Sequence, residues 1–157
     1  MPEVVVICGH PRAGSRTLRL ARAVGERLAG GGEPHVVDLA ELLPALLAPA
    51  EGATAVALRE VQDATLLVVA TPTYRGSYTG ALKMFLDQLP SHALAGVVAV
   101  PVVTAELQTQ ADAAEAFLAR LLRELGADVV DFGLTATEPE LADPDAVADQ
   151  YTEAIAA

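Results

Sequence analysis

From residue 9 to residue 17 the chain reads Gly9-His10-Pro11-Arg12-Ala13-Gly14-Ser15-Arg16-Thr17. Two glycines free the backbone, two arginines bring guanidinium groups, and Ser15 and Thr17 bring hydroxyls. Ahead of a helix, such a run is an anion site, because the first-turn amides have no helical acceptor and the helix dipole is positive at that end. Guanidinium and hydroxyl donors suit a phosphate. A tight strand-to-helix turn with an ordinary cap accounts for the glycines and for Ser15, but not for the clustered donors.

The run also says which phosphate ligands do not fit. A P-loop needs Lys and then Ser or Thr after its second glycine; Gly9 and Gly14 have the spacing, but Ser15-Arg16 follow. The dinucleotide fingerprint G-x-G-x-x-G fails because residue 11 is Pro. A thiol phosphatase would carry an Arg six positions after its cysteine, and six after Cys8 stands Gly14. A mononucleotide remains.

A second run, Thr71 to Gly80, is too polar and too rich in turn formers for helix or strand. Within it Tyr74 offers a flat amphipathic ring, and the amides of a turn bearing Pro72 can reach the polar edge of a ring ligand.

These loops need elements to hold them. Apolar runs predict strands over Glu3–Cys8, Pro34–Leu39, Thr65–Ala70, Gly96–Val103 and Asp128–Leu134. Helical spacing predicts helices over Arg16–Ala29, Ala55–Asp63, Ala81–Leu89, Ala111–Leu125 and Pro144–Ala156, with Ser15 as the first N-cap and a Pro-punctuated connection over 40–53. Lys83 and Asp87 are spaced to pair on the third helix. Strands alternating with helices imply right-handed crossovers. The expected fold is a flavodoxin-like three-layer α/β/α sandwich, one domain over 1–157, with a five-stranded parallel sheet of order 2-1-3-4-5. That order places a ligand at the carboxyl ends of strands one and three, where the two turn-rich loops lie.

The 157 residues carry a formal charge of −11, which argues against nucleic acid or an anionic membrane as partner. The charge is uneven. Residues 1–104 hold 8 Lys/Arg against 9 Asp/Glu, whereas residues 105–157 hold 2 against 12. Arg12, Arg16, Arg19, Arg22 and Arg27 crowd the first loop and its helix; Arg12 and Arg16 read as anion ligands, the other three as a solvated helix face. The single cysteine, Cys8, permits no internal disulfide and reads as a small core residue. No apolar run reaches membrane-spanning length, and Met1-Pro2-Glu3 lacks a signal peptide's basic region, so a cytoplasmic location is expected.

Cys8 to Thr17 resembles the G-S-P-R-x-x-S-R-[ST] loop of NAD(P)H-dependent FMN reductases. Ala70-Thr71-Pro72-Thr73-Tyr74-Arg75-Gly76-Ser77-Tyr78-Thr79-Gly80-Ala81-Leu82-Lys83, continuing to Leu86-Asp87, is similar to that family's A-T-P-x-Y-x-x-S-Y-[ST]-G-x-L-K…L-D segment. The small reductases that supply reduced flavin to alkanesulfonate-type monooxygenases are the branch it is most like, over about the first two thirds of the chain. The resemblance implies FMN as cofactor and NADPH or NADH as co-substrate, with hydride passing from nicotinamide C4 to flavin N5 and no catalytic side chain or metal. It implies that Arg12, Ser15, Arg16 and Thr17 hold the FMN phosphate, that Pro72, Thr73, Tyr74 and Arg75 line the isoalloxazine edge, and that Thr104 adjoins the flavin. Lys83 and Asp87 would lie on a helix used in a homodimer or homotetramer. Tyr78 is open between packing, interface and flavin contact.

Three features depart from the family pattern. His10 replaces the Ser after the first glycine; protonated, it would donate to the phosphate with its pKa raised by the anion, and otherwise it faces solvent. Thr104-Ala105-Glu106 stands where T-G-G brings bare backbone to the flavin, so Glu106 either turns to solvent or weakens flavin binding. The C-terminal part is short and acidic. Two rival readings follow: a reductase of quinones, azo dyes or metal oxyanions that keeps its FMN, and a non-enzymatic electron carrier or flavin-less binding protein whose acidic surface docks on a basic partner.

Overall fold

A computed structural model describes residues 3–48 and 52–156. The Met1-Pro2 start and residues 49–51 of the expected connection lie outside these. The elements are β1 (Val4–Cys8), α1 (Arg16–Leu28), β2 (His35–Asp38), α2 (Gly52–Asp63), β3 (Leu66–Pro72), α3 (Gly80–Leu86), β4 (Val98–Ala105), α4 (Gln108–Glu124), β5 (Asp128–Val129), β6 (Leu134–Thr137) and α5 (Pro144–Ala156).

All strand pairings are parallel and the order is β2-β1-β3-β4-β5, with β6 also paired to β4. The Val-rich strands alternate faces, so each serves two cores. Val5, Ile7, Leu67 and Val69 pack under α2, α3 and α4 with Val61, Phe85 and Leu118. Val6, Cys8, Val68 and Ala70 pack under α1 and α5 with Leu20, Val24 and Tyr151. Covering both faces makes the strands continuous apolar runs. Cys8 is fully buried, and burial pushes its thiol up to about 11; it is a core residue.

Two differences from the expected elements bear on the site. The fifth strand is broken into β5 and β6. Ala99 pairs Val129 and Val102 pairs Leu134, so two residues of β4 face four residues of the partner. Pro101 stands in that interval and lacks an N–H for the ladder. The looped-out residues 130–133 are tied down instead by Gly133 N–H donating to Glu115 Oε1 at 3.2 Å and by Tyr151 Oη–H donating to the Phe132 carbonyl at 2.8 Å.

Second, β3 and β4 each run two residues past their expected ends. Thr71 pairs Val103 and Pro72 pairs Thr104, so residues read as loop are strand. The extension pushes both strand ends into the space above the sheet.

Acidic α5 lies against basic α1. Arg27, expected on a solvated face, is three-quarters buried between Asp145 at 3.0 Å and Asp149 at 2.5 Å. The C-terminal surplus of carboxylates thus partly answers the arginines of the first helix.

Candidate functional site

A cleft of about 1180 Å³ opens at the carboxyl ends of β1, β3 and β4. His10, Arg12, Ser15, Arg16, Thr17, Pro72, Thr73, Tyr74, Arg75 and Thr104, all singled out from the sequence, line it together. The cleft also contains residues that local sequence reading did not place there: Arg19, exposed one turn beyond Arg16, Glu138 and Leu141 from the turn after β6, and Gln110.

The first wall is the β1–α1 loop. Ser15 is buried, and its Oγ accepts the Leu18 N–H at 3.1 Å, capping α1. One of its two lone pairs is thereby engaged, and the same hydroxyl pairs with Cys8 Sγ at 3.9 Å. Among the described residues, no acceptor is found for the N–H groups of Ser15, Arg16 and Thr17. Gly14 N–H is different: it donates to Oδ2 of buried Asp38 at 3.1 Å, while Ala40 N–H donates to Oδ1 at 3.3 Å. Asp38, at the end of β2, ties the loop to the neighbouring strand.

His10 Nδ1 accepts the Arg12 N–H at 3.0 Å, which places the proton of the neutral ring on Nε2. Partial burial, with Arg12 and Arg16 nearby, lowers its pKa below the ordinary 6.5 despite Asp38. The ring meets Tyr74 edge-on, centroids 6.2 Å apart, bridging the two walls.

The second wall is a web of threonines. Thr79 N–H donates to Thr71 Oγ1 (3.1 Å), Thr71 Oγ1–H to the Pro72 carbonyl (2.7 Å), and Thr79 Oγ1–H to the Gly9 carbonyl (2.7 Å). Thr79 also caps α3 through the Leu82 N–H at 3.1 Å. Gly9 is required by this closeness, since a Cβ there would lie 2.7 Å from Leu82 Cβ. Thr73 Oγ1–H donates to the Thr104 carbonyl at 2.9 Å, and the Thr104 and Thr17 hydroxyls pair at 2.9 Å across the cleft floor.

Tyr74 to Ser77 is a two-residue hairpin closed by two backbone bonds of 2.9 and 3.2 Å. Arg75 (φ 54°) and Gly76 (φ 81°) both take the left-handed region, as a type I′ turn requires. Tyr74 is left 45% exposed. Tyr78 is not on the cleft; it packs against the core under α2, α3 and α4.

Glu106 is exposed and also lines the cleft, while Ala105 is buried at the end of β4. Lys83 and Asp87 pair at 2.8 Å on the outside of α3, and hydrogen bonding to Asp87 raises the Lys83 pKa. Among the described residues no cluster of three or more His, Cys, Asp or Glu could hold a metal ion, and no helix is long and apolar enough to cross a membrane.

Residues 2–138 match the model of the NADPH-dependent FMN reductase family. The chain belongs to that family. It is accordingly an oxidoreductase that works with FMN and a reduced nicotinamide nucleotide. Among its relatives is an NADH-dependent FMN reductase, SfnF, of Pseudomonas putida, 35% identical over 86% of this chain and 77% of the relative. An FMN reductase (NADPH) of Escherichia coli K12 is 33% identical over 90% and 76%. A crystal structure of an NADH:FMN oxidoreductase in its apo form superposes with a TM-score of 0.88 at 30% identity, covering 99% of this chain and 87% of that one.

The residues present fit the cofactor. Unpartnered amides, four arginines and the polar rim of the hairpin form a donor set for a phosphate and a flat ring. The cleft exceeds the roughly 300–1000 Å³ usual for one small ligand.

Proposed function

We propose that the cleft holds the FMN phosphate among the first-turn amides of α1 and the guanidinium groups of Arg12 and Arg16, with Ser15, Thr17 and His10 Nε2–H as neighbouring donors. Pro72, Thr73, Tyr74 and Arg75 would line the ring edge, with Thr104 adjoining it. The observation that carries this reading is the convergence of acceptor-less N–H groups and arginines in one cleft with the hairpin. When bound, FMN would supply the redox chemistry, as the hydride acceptor for the nicotinamide.

The protein's own contribution is placement. The Thr17–Thr104 pair fixes the distance between walls, the hairpin presents Tyr74 as a flat surface, and the arginines neutralise the phosphate so that binding energy positions the ring. No side chain need exchange a proton in the hydride step.

The reading extends to a cytoplasmic single-domain enzyme, assembled as a homodimer or homotetramer through α3, that passes reduced flavin to a monooxygenase. In support, Met84 on α3 is exposed beside Lys83 and Asp87. The named relatives include NADH- and NADPH-dependent reductases.

Titrating FMN against wild-type protein and the Arg12→Ala variant, followed by flavin fluorescence, tests the phosphate position. Loss of a charge-assisted hydrogen bond should weaken binding about 10- to 100-fold while thermal stability holds, because the Arg12 side chain is exposed. Unchanged affinity moves the phosphate elsewhere.

A further inference from the structure

We infer that Glu138 is an internal competitor for the flavin phosphate, occupying the Arg16 guanidinium and so setting how readily FMN leaves. The inference rests on the phosphate position proposed above.

Two carboxylates reach the β1–α1 loop, and they are held differently. Asp38 is buried, and each of its oxygens accepts a backbone N–H. Moving it would strand both donors, so it shapes the loop and stays. Glu138 is 47% exposed, and its one partner among the described residues is Arg16, itself 55% exposed. It is free to swing into solvent.

Its main chain, by contrast, is fixed. Thr137 ends β6 in register with Ala105, and both its N–H and its Oγ1–H donate to Glu140 Oε1 at 2.9 Å. The turn therefore presents Glu138 to the same place, the first residue of α1. Both Glu138 and Arg16 line the cleft.

Binding the phosphate is then an exchange: the dianion takes Arg16 and the carboxylate moves out. The complex forgoes the ion pair and sets a displaced negative charge beside the phosphate, and both effects weaken with salt. A reductase built this way binds flavin without trapping it, as delivery of reduced flavin requires. Nothing near Asp38 provides such a release.

The test measures FMN and riboflavin dissociation constants at low ionic strength for wild type, Glu138→Gln, Arg16→Ala and the double variant. Glu138→Gln should bind FMN roughly two- to tenfold more tightly, lose most of that gain in concentrated salt, and bind riboflavin unchanged, since riboflavin has no phosphate. The gain should shrink when Arg16 is already Ala, to the smaller part owed to repulsion between the carboxylate and the phosphate. Equal or weaker FMN binding by Glu138→Gln, the same gain without Arg16, or an equal gain for riboflavin each overturns the inference. If wild type discriminates FMN from riboflavin but Glu138→Gln changes nothing, the competitor role alone fails. If wild type does not discriminate them, the phosphate position fails and takes this role with it.

Discussion

The two walls of the cleft follow opposite plans. Among the described residues the β1–α1 wall leaves the Ser15, Arg16 and Thr17 amides without protein acceptors and holds the Arg16 guanidinium only through exposed Glu138, whereas the wall built by the ends of β3 and β4 satisfies nearly every polar group from within. Recognition and rigidity are thereby separated. Charge changes on the first wall should alter affinity and leave the fold intact. Hydroxyl changes on the second should do the reverse.

The strongest way to break this contrast is Thr79→Val. The change keeps the side-chain shape but removes the α3 cap and the donor to the Gly9 carbonyl, and urea unfolding should show a loss of about 2–3 kcal/mol. A loss below about 0.5 kcal/mol, the usual scale for a neutral surface change, would mean that the wall is not held by its hydroxyls. A smaller effect belongs to the cleft floor. Thr17→Val alone strands the Thr104 hydroxyl and should cost about 1–2 kcal/mol. Adding Thr104→Val should recover part of that cost, because two apolar groups then face each other. Strictly additive losses would deny the pair.

The smallest expected effect sharpens the first wall. His10 is held below its unfolded pKa of 6.5, so on acidification the unfolded chain takes up a proton first. Stability should fall as pH drops through the window between 6.5 and the lowered value, and be flat above it. His10→Gln should remove that part of the slope in urea midpoints compared between about pH 7.5 and about pH 5. With FMN present the anion favours the protonated ring, so flavin binding should strengthen over the same interval. An identical slope in wild type and variant sinks the assignment.

Much of this architecture can be read locally. Val-rich runs bounded by glycine and proline mark the strands, and the Gly9–Thr17 run marks the first wall before any fold is drawn. The broken fifth strand also has a signal, Pro101 in an interior strand with Gly133 across from it. Other features depend on the fold itself. Arg16 meets Glu138 across 122 residues of chain, and Asp38 reaches Gly14 only because β2 lies beside β1. Thr71 and Pro72 read as loop because turn formers are scored alone; the ladder to Val103 and Thr104 overrides that preference. The direction of the His10 shift likewise needed the fold, which partly buries the ring and sets the Arg12 charge beside it.

The interruption at Pro101 has a consequence far from flavin. It falls at the rim of the sheet, where an extended stranger could otherwise zip on by its main chain. That rim offers one piece of two residues and one of four, separated by a loop fastened to Glu115 and Tyr151. Such a short, stepped border is a poor template for fibrillar growth, so the proline that costs the ladder a bond also helps keep stray strands off this edge.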